Sequence, residues 1–252
     1  MTAIEPQPVP ARRLEWRRAT VRQVVVETSR VKSLLLDVAG WPGHLPGQHV
    51  DLRLTGEDGY QAQRSYSIAS APGDRHLVLT VERLDDGEVS PYLVDQLRPG
   101  DPLELRGPIG GFFVWEPSLG GPLLLIGGGS GVVPLRAIVR LRAPVASEVP
   151  ARLLYSARTL EDVIYRDELD GYAASGELDL RLALTRAWPQ SWPGYRRRVD
   201  ASMLEEVAWP PSARPRIYVC GPNGFVEAAA NGLVTLGHDA AAIRTERFGP
   251  SG

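Results

Sequence analysis

Residues Pro122–Ile138 read PLLLIGGGSGVVPLRAI. The four apolar residues Leu123–Ile126 are too few for a membrane span and suit a buried strand. Gly127, Gly128, Gly129 and Gly131 then let the backbone turn tightly and approach a ligand closely. From Val132 the residues Val133, Leu135, Ile138, Val139 and Leu141 suit one face of a helix, with Pro134 tolerated in its first turn. Strand, glycine turn and helix aim free backbone N–H groups at an anion. A Walker phosphate loop needs a Gly-Lys-Ser/Thr ending, and there is no lysine here. Gly128-Gly129-Ser130-Gly131 fits four positions of the G-x-S-x-G nucleophile elbow, but Val132 occupies the fifth. A serine hydrolase built on Ser130, a later Asp and His238 stays as a rival. The dinucleotide fingerprint G-x-G-x-x-G lacks its last glycine. On this stretch alone, a phosphate-binding turn and a plain tight turn stay equally open.

Downstream, strand-like and helical runs alternate. Leu123–Ile126 precedes Val132–Arg142; Ala151–Ser156 precedes Glu161–Leu169; Leu178–Thr185 precedes Ser202–Val207; Ile217–Cys220 precedes Gly224–Leu236. Four such alternations predict a parallel sheet with helices on both faces. Ligands on such sheets bind beyond the carboxyl ends of the strands, which singles out Gly127–Ser130, Ser156–Arg158, Thr185-Arg186 and Gly221–Asn223.

Upstream, the texture differs. Val21–Glu27, Val31–Val38, His49–Leu54, Arg64–Ile68, Leu77–Arg83 and Pro102–Arg106 read as strands between Gly, Pro and Asp turn signals. Six short strands at this spacing predict an antiparallel barrel or sandwich. One helix, Pro91–Leu97, interrupts them, with Ser90 placed as its N-cap and Pro91 at its first position. The expected organisation is a loose segment at 1–15, a barrel at 16–118 and an α/β unit at 119–252.

Composition narrows the function. An apolar fraction of 43% and a net charge of −2 are those of a soluble globular protein with no global pull toward nucleic acid. Lys32 is the sole lysine, so a single Arg is weak evidence of phosphate binding in this chain. Cys220 is the sole cysteine, which excludes an internal disulfide and a four-cysteine iron–sulfur cluster within the chain. His44, His49, His76 and His238 show no metal-binding spacing. The N-terminal residues lack the apolar segment of a signal peptide. The expectation is a cytoplasmic protein with no membrane span and no metal.

Arg64-x-Tyr66-Ser67 offers a guanidinium fork, a flat ring and a hydroxyl along one predicted strand. Gly87-x-x-Ser90 offers a helix start. With Gly127–Gly131, Cys220-Gly221-Pro222 and the terminal Glu246-Arg247-Phe248, in this order, the chain resembles the ferredoxin–NADP reductase superfamily from about Trp16 to its end.

The resemblance implies a six-stranded antiparallel Greek-key barrel holding flavin, followed by a parallel-sheet nucleotide domain. It implies that Arg64 and Ser65 serve the flavin pyrophosphate, that Tyr66 lies against the isoalloxazine, and that Ser67 bonds near its N5 edge. The backbone of Thr80, Val81 and Glu82 would follow the flavin tail, and Gly87, Val89 and Ser90 would complete the pyrophosphate site. Two anion-binding features in one half favour FAD over FMN. Gly128, Gly129, Ser130 and Gly131 would receive the pyridine nucleotide, with Ser130 near the flavin. Cys220, Gly221, Pro222 and Asn223 would flank the nicotinamide. Phe248 would cover the other flavin face, and Glu246 would orient the nicotinamide or relay a proton.

Ser156, Arg158, Thr185 and Arg186 sit where a ribose 2′-phosphate would lie, with Arg197 or Arg198 adding to the pocket. Glu161 and Asp162 read instead as first-turn helix residues, so NADPH is expected over NADH. The reading is a flavin-dependent NAD(P)H oxidoreductase passing electrons to a separate ferredoxin, haem or oxygenase-type protein. Its rivals are direct reduction of a quinone or free flavin, and a flavin-holding relay subunit that never uses NADPH. Arg12, Arg13, Arg17 and Arg18 form either a docking patch for an acidic partner or a solvated tail.

Overall fold

The structure, a computed structural model, describes residues 14–146 and 148–248. Arg12, Arg13 and the residues after Phe248 lie outside them. The first half is an antiparallel sheet of β1 (Trp16–Thr28), β2 (Val31–Val38), β3 (His49–Thr55), β4 (Gln61–Ser67), β5 (Leu77–Glu82) and β6 (Pro102–Ile109). Their order is β4-β3-β6-β1-β2-β5. An isolated antiparallel bridge between Ile68 and Leu79 joins the two edges, which curls the sheet into a barrel. The alternating apolar residues Val21, Leu34, Leu36, Leu52, Leu79 and Leu105 fill its interior. Burying each such side chain contributes about 1.5–3 kcal/mol.

The second half is a parallel sheet in the order β11-β10-β7-β8-β9. Along the chain it runs β7 (Leu123–Gly128), helix α1 (Val132–Val145), β8 (Ala151–Ala157), α2 (Arg166–Ala174), β9 (Asp179–Leu184), α3 (Ala201–Val207), β10 (Arg216–Pro222), α4 (Asn223–Thr235) and β11 (Ile243–Phe248). Leu123, Leu125, Leu153 and Tyr155 pack on one face with α1 and α2. Leu124, Ile126, Leu154 and Val219 pack on the other with α3 and α4. Burial on both faces explains why these strands read as unbroken apolar runs. The chain moves outward one way from β7 through β8 and β9, then returns to β7's other side as β10. The switch point therefore lies between β7 and β10, where the glycine turn begins.

Three sequence expectations are corrected. The helix expected over Glu161–Leu169 begins only at Arg166. Tyr165 at its N-cap has φ 59°, and Val163, Ile164 and Tyr165 are buried in an irregular turn rather than on a helix face. The helix expected at Pro91–Leu97 is a five-residue π-turn, Tyr92–Gln96, and Ser90 does not cap it. The Ser90 hydroxyl instead accepts the Leu84 N–H at 3.0 Å. Strand β11, not anticipated, pairs in parallel with β10.

The halves share one core and several polar links. Val31 and Ala69 of the barrel pack with residues of the α/β half, beside Phe113 and the fully buried Trp115. The Tyr218 hydroxyl donates to the Val114 carbonyl at 2.9 Å. On α1, Arg136 donates to the Ala69 carbonyl at 3.1 Å and pairs with Glu168 at 2.7 Å. One turn on, Arg140 pairs with Asp74 at 3.0 Å and Glu168 at 2.8 Å. The Tyr165 hydroxyl donates to Thr80 Oγ1, which also bonds Ser33.

Candidate functional site

The glycine turn follows β7 directly. Gly129 has φ +55°, a conformation that glycine adopts without strain. Gly131 has a different reason: a Cβ there would lie 2.1 Å from the Cys220 carbonyl oxygen. That glycine lets the start of α1 rest against the end of β10. The turn borders a cavity of about 550 Å³ between the two halves. Gly128, Gly129, Ser130, Ser156, Arg158, Thr185, Pro222 and Phe248 all line it, as do Arg198 and, from the barrel, Arg30 and Glu82.

Most residues expected to hold a nucleotide thus meet in one cavity. Arg186 does not line it; Arg198 does. Arg197 is turned to Asp200 at 2.7 Å. Arg158 and Arg198 are exposed and have no side-chain hydrogen bond or ion pair among the described residues. The carboxylate of Asp162 also borders the cavity, because it lies in the turn before α2 rather than in the helix. One of its oxygens accepts both the Thr159 N–H, at 3.1 Å, and the Thr159 hydroxyl, at 3.0 Å.

Gly131, Cys220, Gly221 and Asn223 are not among the residues that line the cavity. Cys220 is 2% exposed, and burial pushes its thiol well above the usual range, with Glu246 adding to the shift. Cys220 and Glu246 are direct partners in the β10–β11 register. Burial likewise pushes Glu246 up to about 7, so this carboxyl holds or releases a proton near neutral pH.

In the barrel, β4 carries Arg64, Ser65, Tyr66 and Ser67. Arg64 Nη2 donates to Glu88 Oε2 at 2.8 Å, and the Tyr60 hydroxyl donates to Glu88 Oε1 at 3.1 Å. The Ser65 hydroxyl donates to Asp51 at 2.7 Å. Tyr66 packs half-buried against the barrel core, and burial pushes its phenol up to about 12. Ser67 pairs with His49 of β3. Val89 is buried, and Thr80 and Val81 are buried in β5. The Arg64–Glu88 contact brings the middle of β4 against the Gly87–Ser90 loop, with the guanidinium already engaging one carboxylate oxygen. The donors therefore fit the pyrophosphate of a flavin dinucleotide, with the Tyr66 ring two residues farther along the same strand.

A six-stranded antiparallel barrel joined to a parallel sheet with a cavity at its switch point is the architecture of a two-domain flavin and nicotinamide oxidoreductase. Residues 21–114 match the family model of the oxidoreductase FAD-binding domain, and residues 125–231 that of the oxidoreductase NAD-binding domain. The chain is 34% identical over 231 residues to ferredoxin–NADP reductase B of Sorangium cellulosum, covering 88% of this chain and 90% of that one. It is 32% identical to the glycine betaine monooxygenase reductase subunit of Pseudomonas aeruginosa over 82% of its own length, and spans 56% of that relative. In structure it is similar to the flavohaem-like FAD/NAD-binding domain of nitric oxide dioxygenase from Vibrio cholerae O1 biovar El Tor. The TM-score is 0.83 at 28% identity, covering 93% of this chain and 99% of that one. The chain belongs to the ferredoxin–NADP reductase superfamily.

Among the described residues no helix is long and apolar enough to cross a membrane. Among them, too, no group of three or more His, Cys, Asp or Glu side chains is arranged to hold a metal ion.

Proposed function

We propose that the protein takes a hydride from NADPH onto bound FAD and passes the electrons to a separate acceptor protein of ferredoxin, haem or oxygenase type. FAD, when bound, supplies a ring that accepts two electrons as hydride and gives them up singly. The chain's own work is binding, orientation and exclusion of water. Arg64 and the Gly87–Ser90 loop hold the flavin pyrophosphate, and Tyr66 and Ser67 position the ring. Gly128–Ser130 receive the diphosphate of the pyridine nucleotide at the start of α1, where the backbone N–H groups are free. Phe248, bordering the cavity, shields the reacting ring and yields to the nicotinamide. The Glu246 carboxyl, at its near-neutral poise, orients the nicotinamide amide or carries a proton.

The preference for NADPH rests on one observation. Arg158 and Arg198 flank the same cavity as Ser156 and Thr185, and both guanidinium groups are unpaired among the described residues. Arg18, Arg75, Arg186 and Arg214 also lack a side-chain partner among the described residues, but of these arginines Arg158 and Arg198 alone line the cavity, which makes them the natural partners of a 2′-phosphate. Asp162, the acidic side chain from the α/β half that lines the cavity, commits its Oδ2 to Thr159. The test is steady-state kcat/KM for NADPH and NADH in Arg158→Ala and Arg198→Ala. Each variant should lose about ten- to hundredfold with NADPH, the range of hydrogen bonds to charged groups, and little with NADH. Equal losses with both cofactors would refute the assignment. The separate acceptor is supported by relatives named as a monooxygenase reductase subunit and a dioxygenase electron transfer component.

A further inference from the structure

We propose that Glu82 is a built-in competitor for the pyridine-nucleotide diphosphate and sets how tightly the nucleotide is held. The proposal rests on the nucleotide-binding reading of the glycine turn. Glu82 ends β5, in the barrel half, yet its side chain reaches across to the other half. There Ser130 Oγ donates to Glu82 Oε2 at 2.8 Å. Glu82, Gly128, Gly129 and Ser130 line one cavity. The carboxylate thus lies at the turn leading into α1, where the helix field favours an anion.

Two physical facts make this a competition. A serine hydroxyl has one proton to donate, so Ser130 serves either Glu82 or a phosphate oxygen at one time. The carboxylate also has no ion-pair partner among the described residues. Arg30, which borders the same cavity, is directed to the Arg83 carbonyl at 2.8 Å and to Asp85 at 3.0 Å. A diphosphate seated on the turn therefore takes over the Ser130 hydroxyl and faces a carboxylate that makes no ion pair of its own. The consequence is weaker binding and faster release of spent nucleotide, since affinity differences at one site fall mostly on the off-rate. Such release suits a reductase that must vacate the site each turnover.

Glu82→Gln isolates the charge, because the amide carbonyl still accepts from Ser130 and keeps the link between the halves. Calorimetric titration of the flavin-loaded wild type, Glu82→Gln and Glu82→Lys would use NADP+, NAD+ and adenosine 2′-monophosphate, which has no diphosphate. Glu82→Gln should bind NADP+ and NAD+ about tenfold tighter at low salt, and the gain should shrink as salt screens it. Glu82→Lys should bind both tighter still, and adenosine 2′-monophosphate should bind all three proteins alike. Unchanged NADP+ affinity in Glu82→Gln, or an equal gain with adenosine 2′-monophosphate, would overturn the competitor. A wild type and variants that bind none of the three ligands would overturn the nucleotide reading, and the competitor with it.

Discussion

Arg64 and Glu88 meet at 2.8 Å, joining the middle of β4 to the loop that follows β5. Both side chains are about half exposed, at 53% and 51%, so the pair adds at most about 1 kcal/mol to stability. Under the proposed function Arg64 exchanges this carboxylate for the flavin pyrophosphate. Arg64→Ala should therefore leave the unfolding midpoint of the flavin-free protein nearly unchanged. The same variant should weaken FAD binding about ten- to hundredfold, read by fluorescence titration of the released flavin. A variant that retains FAD like the wild type would remove Arg64 from the site.

Two glycines of one turn should respond differently to alanine. At Gly131 the added methyl would collide with the backbone of β10, costing about 3 kcal/mol as α1 or β10 shifts. At Gly129 nothing lies within reach of a Cβ, and only the positive φ resists, costing about 1 kcal/mol. Urea midpoints of the two variants would establish the order, and the reverse order would contradict the close packing of α1 on β10.

The pH dependence of stability should carry the mark of Glu246. Its carboxyl titrates at about 7 in the folded protein because burial disfavours the charge, whereas in the unfolded chain it titrates in the ordinary carboxylate range near 4.5. The folded state therefore binds the proton more tightly, and its advantage is complete below the unfolded value. That advantage declines as pH rises toward 7 and levels off above it. Glu246→Gln lacks this decline. The stability of Glu246→Gln relative to wild type should grow between about pH 4.5 and 7 in urea titrations, and a flat difference would contradict the burial of the carboxyl.

Cys220 should behave as a protected thiol. It is buried, and its ionisation is pushed up by burial and by Glu246, so the reactive thiolate is scarce at neutral pH. A disulfide reagent such as dithionitrobenzoate should label the native protein far more slowly than the urea-unfolded chain. Comparable rates would mean that the end of β10 opens readily.

The sequence made the switch from barrel to parallel sheet legible because of Pro122–Ile138: a doubly buried strand, a glycine turn and an amphipathic helix are local patterns. Strand β11 was not legible, since only Ile243 among its six residues is buried and an edge strand bordered by polar side chains has no period to detect. The start of α2 was misread because Leu160, Val163 and Ile164 mimic helical spacing, whereas the left-handed Tyr165 delays the helix. Motif order brought Arg64 and Gly87–Ser90 together correctly. It gave no hint that Glu88 would meet Arg64 and Glu82 would meet Ser130, because those contacts depend on side-chain reach between segments distant in sequence. Arg198 rather than Arg186 lines the cavity for a similar reason: the loop before α3 brings Arg198 there, while just past β9 Thr185 lines the cavity and Arg186 does not.

The most direct test of the central claim is anaerobic stopped-flow mixing of the flavin-loaded protein with NADPH or NADH, following the visible flavin band. Rapid bleaching by NADPH and markedly slower bleaching by NADH is the predicted result. Bleaching by neither nucleotide would contradict the assignment of the protein as a nicotinamide-dependent flavin reductase.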